Sequence, residues 1–246
     1  MKLLLINPNT STAVTDRMQA VAQKVVAPSS EILALTAPRG VPYISTRAEA
    51  VLGGAIALEM LADNLDGIDA VIVAAFGDPG LGAIRELSPV PVVGLAEAAM
   101  LTACMLGRRF AIVSFARALG PWYEECVEYH GLRGRLAAIR LAEAPFRSIA
   151  DVQDEMTDLI VEIANRTSVD DEADTVVLAG APLAGLAEKI SGRVSVPLVD
   201  GVAAAARQAE TLAMLKLKKA TTGTFRRPDP KDSQGLAPGL ARLLSG

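Results

Sequence analysis

The chain has 246 residues, of which 51% are hydrophobic, and a formal net charge of −4 at pH 7; this is enough apolar chain for one large α/β domain or two small ones. The acidic balance excludes the basic field a nucleic-acid partner needs, since basic residues concentrate only near the C-terminus. One histidine and two cysteines exclude a disulfide scaffold and a zinc site built from His and Cys alone, and no apolar run reaches membrane-spanning length, so a cytoplasmic protein with no metal and no membrane partner is expected.

Hydrophobic periodicity predicts strands at 2–7, 31–36, 69–75 and 91–95, each followed by a helical pattern. The N-terminal MKLLLINPNT reads as the first strand rather than a signal segment. The loop after it, Asn7-Pro8-Asn9-Thr10-Ser11-Thr12, opens a helix. Asn9 and Ser11 are candidate ligand-binding residues beside the free N–H groups of that first turn, with simple N-capping as the alternative. After the second strand, Arg39–Arg47 holds Tyr43, Ser45 and Arg47. The Arg47 guanidinium suits a carboxylate or ureide oxygen, and it equally suits a solvated helix face beside Glu49.

The third strand ends in VIVAAFGDPGL. Ala75, Phe76 and Gly77 form a small-residue turn at which backbone N–H groups approach a ligand, and Asp78 either caps the following helix, Leu81–Leu87, or serves in acid–base chemistry. Glu97, after the fourth strand, has the same two readings. Further on, Cys126 and His130 stand four apart in PWYEECVEYHG, the spacing of a Cys–His nucleophile pair. That helix is distant in sequence from every strand-end loop, so an ordinary buried thiol and a helix-terminal histidine are expected there. Cys104 reads as a core thiol.

Strands at 109–115, 136–141, 174–180 and 196–200 repeat the first series. AVIVAAFGDPGLGAIRELSPVPVVGLAEAA lies over DTVVLAGAPLAGLAEKISGRVSVPLVDGVAAA, and Gly180-Ala181 falls where Ala75-Phe76 stands in the first copy. The alternation predicts an α/β fold of two pseudo-symmetric lobes, 1–107 and 108–216, each a parallel sheet flanked by helices. Strand-end loops would then face each other across a ligand cleft. A tail, 217–246, ends in the amphipathic LAPGLARLL, and it or the last helix is free to pack back on the first lobe.

INPNTS, AFGDPGL, PVVGLAEAA and LAGAPLAGLA resemble the aspartate/glutamate/hydantoin racemase superfamily, in its hydantoin and allantoin racemase branch, over about residues 2–215. The resemblance implies a cofactor-independent site between the lobes, in which two cysteines on opposite faces of a chiral carbon remove and return a proton. Their places in the pattern hold Ala75 and Gly180 here. The expectation is therefore an isomerase-type enzyme for a small hydantoin-, ureide- or carboxylate-type substrate that lacks the two-thiol mechanism. Asp78 and Glu97 are its candidate acid–base groups, and a homo-oligomer is expected. The alternatives are a hydrolase or lyase that uses Asp78 or Glu97 with water, and a non-catalytic ligand-binding protein.

Overall fold

The computed structural model describes residues 1–145, 147–149 and 151–245. Its first sheet holds β1 (Lys2–Asn7), β2 (Glu31–Thr36), β3 (Ala70–Val73) and β4 (Val92–Gly94), all parallel, in the order β2-β1-β3-β4. Strand β1 is apolar on both sides. Leu3 and Leu5 enter one core while Leu4 and Ile6 enter another on the opposite face, as strand periodicity requires of a sheet covered twice.

The second sheet repeats this plan. Strands β5 (Phe110–Ser114), β6 (Leu136–Leu141), β7 (Thr175–Leu178) and β8 (Leu198–Asp200) are parallel in the order β6-β5-β7-β8. The α/β class and the duplicated sheets agree with the expectation. Strands β3 and β7 stop short of their expected carboxyl ends, because the chain turns through positive φ at Gly77 (106°), Asp78 (50°) and Gly180 (110°), values incompatible with a ladder.

Nine helices occur among the described residues: α1 (Thr12–Val25), α2 (Arg47–Asp63), α3 (Leu81–Leu87), α4 (Leu95–Leu106), α5 (Gly120–Tyr129), α6 (Val152–Asp170), α7 (Leu186–Ile190), α8 (Gly201–Met214) and α9 (Pro238–Ser245). Helices α4 and α8 cross between the sheets. Helix α4 packs on β7 and β8, whereas α8 packs on β3 and β4. The two meet where Gly201 adjoins Leu95 and Ala99, and Gln208 Nε2 donates to Ala98 O at 3.0 Å and to Thr102 Oγ1 at 2.8 Å. One apolar core consequently runs from Leu5 and Ile72 through both helices to Ile112 and Val176. Each fully buried Leu or Val in it contributes about 1.5–3 kcal/mol.

The tail returns to the first half, where α9 packs on α2. Among the described residues no helix is long and apolar enough to cross a membrane.

Candidate functional site

The loop after β1 is built around Asn7. Its Nδ2 donates to Asn9 Oδ1 at 3.0 Å and to Thr15 Oγ1 at 2.9 Å, while its Oδ1 accepts from the Asn9 N–H at 3.2 Å. Asn9 Oδ1 also accepts from the Ser11 N–H at 2.9 Å. Ser11 is the N-cap of α1, its Oγ accepting from the Val14 N–H at 3.4 Å. The loop's second asparagine is thus a brace, and Ser11 is committed to a cap. Asn9 Nδ2 has no hydrogen-bond partner among the described residues.

After β2, Tyr43 reaches the other half of the chain, its ring centroid 5.6 Å from that of Phe115 at the end of β5. The Tyr43 hydroxyl is buried and has no hydrogen-bond partner among the described residues, and burial holds its proton well above the ordinary phenol range. It is a neutral donor with nothing to donate to. Ser45 is engaged: its N–H and Oγ donate to Glu49 Oε2 at 2.7 and 3.0 Å, within the capping box of α2. Arg47 pairs neither with Glu49 nor with open space. Its guanidinium grips Glu125 of α5 at 2.5–2.9 Å on the surface, a tie between α2 and α5 that leaves no fork free for a carboxylate.

The turn after β3 holds Ala75 and Phe76, both buried. Asp78 Oδ1 accepts from the Ala96 N–H and Oδ2 from the Glu97 N–H, each at 2.8 Å. It therefore caps α4, not α3, whose N-cap is Gly80. The carboxylate occupies the space a side chain at Gly94 would need. Burial raises the Asp78 carboxyl above its ordinary range, against the opposing effects of His130 and the two N–H groups.

With a side chain only 2% exposed and both oxygens engaged, Asp78 has no free edge for a substrate. Glu97 is held by Arg85, at 3.1 and 2.5 Å, and accepts from the Gly94 N–H at 3.4 Å. Both carboxylates assigned acid–base roles from the sequence are parts of one capping network. The physical reason is that four free N–H groups at a helix start must find acceptors.

In the second half, Gly180 has φ 110° and lies under Phe115, whose Cε1 would be 2.7 Å from a Cβ there. Ala181 opens a 3-10 turn, Ala181–Leu183, fixed by Arg17 Nη1 and Gln153 Nε2, which donate to Pro182 O at 2.8 and 3.0 Å. Asp200 caps α8 and accepts from the Gly185 N–H at 2.6 Å. Each half thus ties its strand-end turn to a helix start with one carboxylate, supplied by the turn in the first half and by the helix in the second. The backbone N–H groups of Ala75, Phe76, Gly180 and Ala181 have no partner among the described residues.

Helix α5 carries the buried thiol and helix-terminal histidine expected of it, but it lies against a strand-end turn from which it is distant in sequence. Trp122, Cys126 and His130, spaced i, i+4, i+8, all face the turn after β3: Trp122 covers Gly77, the Gly77 N–H donates to the Cys126 sulfur, and His130 Nε2 lies 3.0 Å from Asp78 Oδ2. Ligating atoms of Asp78, Cys126 and His130 all fall within 4.8 Å of one another. The helical stripe was visible in the sequence, but its partner lies some fifty residues away and periodicity says nothing of distant partners. Burial, reinforced by the Asp78 and Glu97 charges, pushes the Cys126 thiol well above its ordinary range. It is no activated nucleophile.

Residues 3–209 match the family profile described as Asp/Glu/Hydantoin racemase. The hydantoin racemase of Paenarthrobacter aurescens is 33% identical over 94% of this chain and 99% of its own length. That of Pseudomonas sp. (strain NS671) is 28% identical over 98% of both. The allantoin racemase from Klebsiella pneumoniae superposes with a TM-score of 0.92, at 33% identity over 98% of each chain.

Proposed function

The chain belongs to the Asp/Glu/hydantoin racemase family, and from that premise we propose that it takes a small cyclic ureide, hydantoin-like, between its two sheets and acts on it without a cofactor and without a pair of thiols. The observation that carries this reading is the buried, partnerless Tyr43 hydroxyl. Leaving such a group unpaired costs about 1–3 kcal/mol, a cost a ligand carbonyl removes. The unpaired N–H groups of Ala75, Phe76, Gly180 and Ala181 and the Asn9 amide nitrogen supply further donors. Donors without an available Arg47 favour neutral carbonyl oxygens over a dicarboxylate, whose desolvation needs a counter-charge.

Loss of the acidic proton from a hydantoin's chiral carbon moves charge onto a carbonyl oxygen, and fixed donors stabilise that oxyanion. Proton transfer at carbon is then left to water at the small-residue turns. The methyl of Ala75 and the hydrogen of Gly180 offer no ionisable proton, so exchange is slow and binding is the dominant activity.

These same two residues support a second reading, a ligand-binding protein that does no chemistry. Equilibrium binding of enantiopure hydantoins, run beside solvent-deuterium exchange and product analysis, separates the readings. Binding with slow exchange supports the first, and binding with none supports the second. Formation of a ring-opened product would point to a hydrolase, and absence of binding would refute both proposals.

A further inference from the structure

We propose that Cys126, His130 and Asp78 form a site for a zinc-class divalent transition metal that clamps α5 onto the turn after β3. The sequence count excludes only sites made of His and Cys alone; a carboxylate completes this one. Cys126 and His130 project from successive turns of one helix face, and Asp78 meets them from the other half of the fold, with all three ligating atoms within 4.8 Å of one another. His130 Nε2 and Asp78 Oδ2 are 3.0 Å apart, a separation that two ligands about 2.0–2.2 Å from a common zinc ion span with little adjustment. One thiolate, one imidazole and one carboxylate select zinc-like ions over calcium or magnesium, which need oxygen donors throughout.

The surroundings have the organisation of a metal centre. The Ala96 and Glu97 N–H groups orient the Asp78 carboxylate, and Glu97 Oε1 lies 3.8 Å from His130 Nδ1, on the side where a metal-bound imidazole carries its proton. On binding, the metal–sulfur bond forms as the Cys126 thiol proton leaves to solvent; the imidazole proton moves by way of solvent from Nε2 to Nδ1, on the Glu97 side, so that His130 Nε2 and Asp78 Oδ2 exchange their hydrogen bond for two metal–ligand bonds. Asp78 is too enclosed for the ion to meet a substrate. Its role is to fix the turn that carries Ala75.

Chelator-treated full-length protein should be titrated with Co2+, followed by thiolate-to-cobalt charge-transfer absorption, and with Zn2+, followed by metal content after gel filtration. The expected result is a single equivalent per chain with the cobalt–thiolate band. Binding is lost in Cys126→Ser and in His130→Gln and kept in Cys104→Ser, while Glu97→Gln binds roughly tenfold to a hundredfold more weakly. Circular dichroism checks that each variant is folded, and two independent ligand variants guard against one that is not. Substoichiometric binding by wild type, or metal retained by both ligand variants, would overturn the proposal.

Discussion

His130 Nε2 and Asp78 Oδ2 lie 3.0 Å apart across 52 residues of sequence, joining the C-terminal end of α5 to the turn after β3. The pair is nearly enclosed, with side-chain exposures of 7% and 2%. His130→Leu removes one of three donors to a buried carboxylate, and the expected loss is about 1–3 kcal/mol of stability in chemical denaturation. An unchanged midpoint would show that the α4 cap alone holds Asp78.

Tyr43→Phe separates ligand contact from structural support. The hydroxyl has no partner among the described residues, so its removal leaves the ligand-free protein as stable as before or slightly more so. Hydantoin affinity falls by about 1–1.5 kcal/mol, roughly tenfold. Thr175, the other buried hydroxyl without a partner among the described residues, opens β7 at the far end from the turns. Thr175→Val should therefore leave ligand affinity unaltered. A Tyr43→Phe variant that is less stable, yet binds normally, would assign the hydroxyl a structural role.

Positions 75 and 180 differ in what they tolerate. Gly180 has φ 110° and Phe115 over it, so Gly180→Cys is destabilised by about 1–3 kcal/mol through backbone strain and crowding. Ala75 is outside the positive-φ region, and Ala75→Cys should lose less. Thermal denaturation of the two single variants gives the order, and equal stability would mean that the second turn relaxes freely.

Glu210 links α8 to the first half, accepting from the Ala27 N–H at 2.8 Å and from Ser30 Oγ at 2.7 Å. Burial alone would raise its carboxyl, but the bonds from Ser30, Ala27 and Arg207 prevail and hold it below the ordinary range. A carboxyl depressed in the folded state stabilises above its unfolded value, and that contribution is lost as pH falls through the folded one. Glu210→Gln should therefore cost about 1–3 kcal/mol at neutral pH, with the gap from wild type closing in acid. A gap constant with pH would contradict the assignment.

The strands and the two matching parallel sheets were legible because buried parallel strands such as AVIV stand out as unbroken apolar runs and because the chain repeats itself; the order of strands within each sheet was not read. Asn9, Tyr43 and the small turns were legible as strand-end residues. Roles set by distant partners were not. A capping role for Asp78 was one of two readings open in the sequence, and that the helix it caps is α4 depends on α4 starting beside the turn. Arg47 looks available until α5 brings Glu125 to it. The crossing of α4 and α8 between sheets leaves no periodic signature, since both faces of an Ala-rich helix suit either sheet.

A ureide-binding frame without thiol acid–base chemistry at positions 75 and 180, as proposed above, makes a definite forecast for the wild-type protein. Its most direct test is incubation of wild-type protein with an enantiopure 5-substituted hydantoin in deuterium oxide, with binding followed by calorimetry, C–H exchange by NMR and configuration by chiral chromatography. Saturable binding with slow exchange and little loss of configuration is the expected result. Rapid racemisation by the wild-type protein would contradict it.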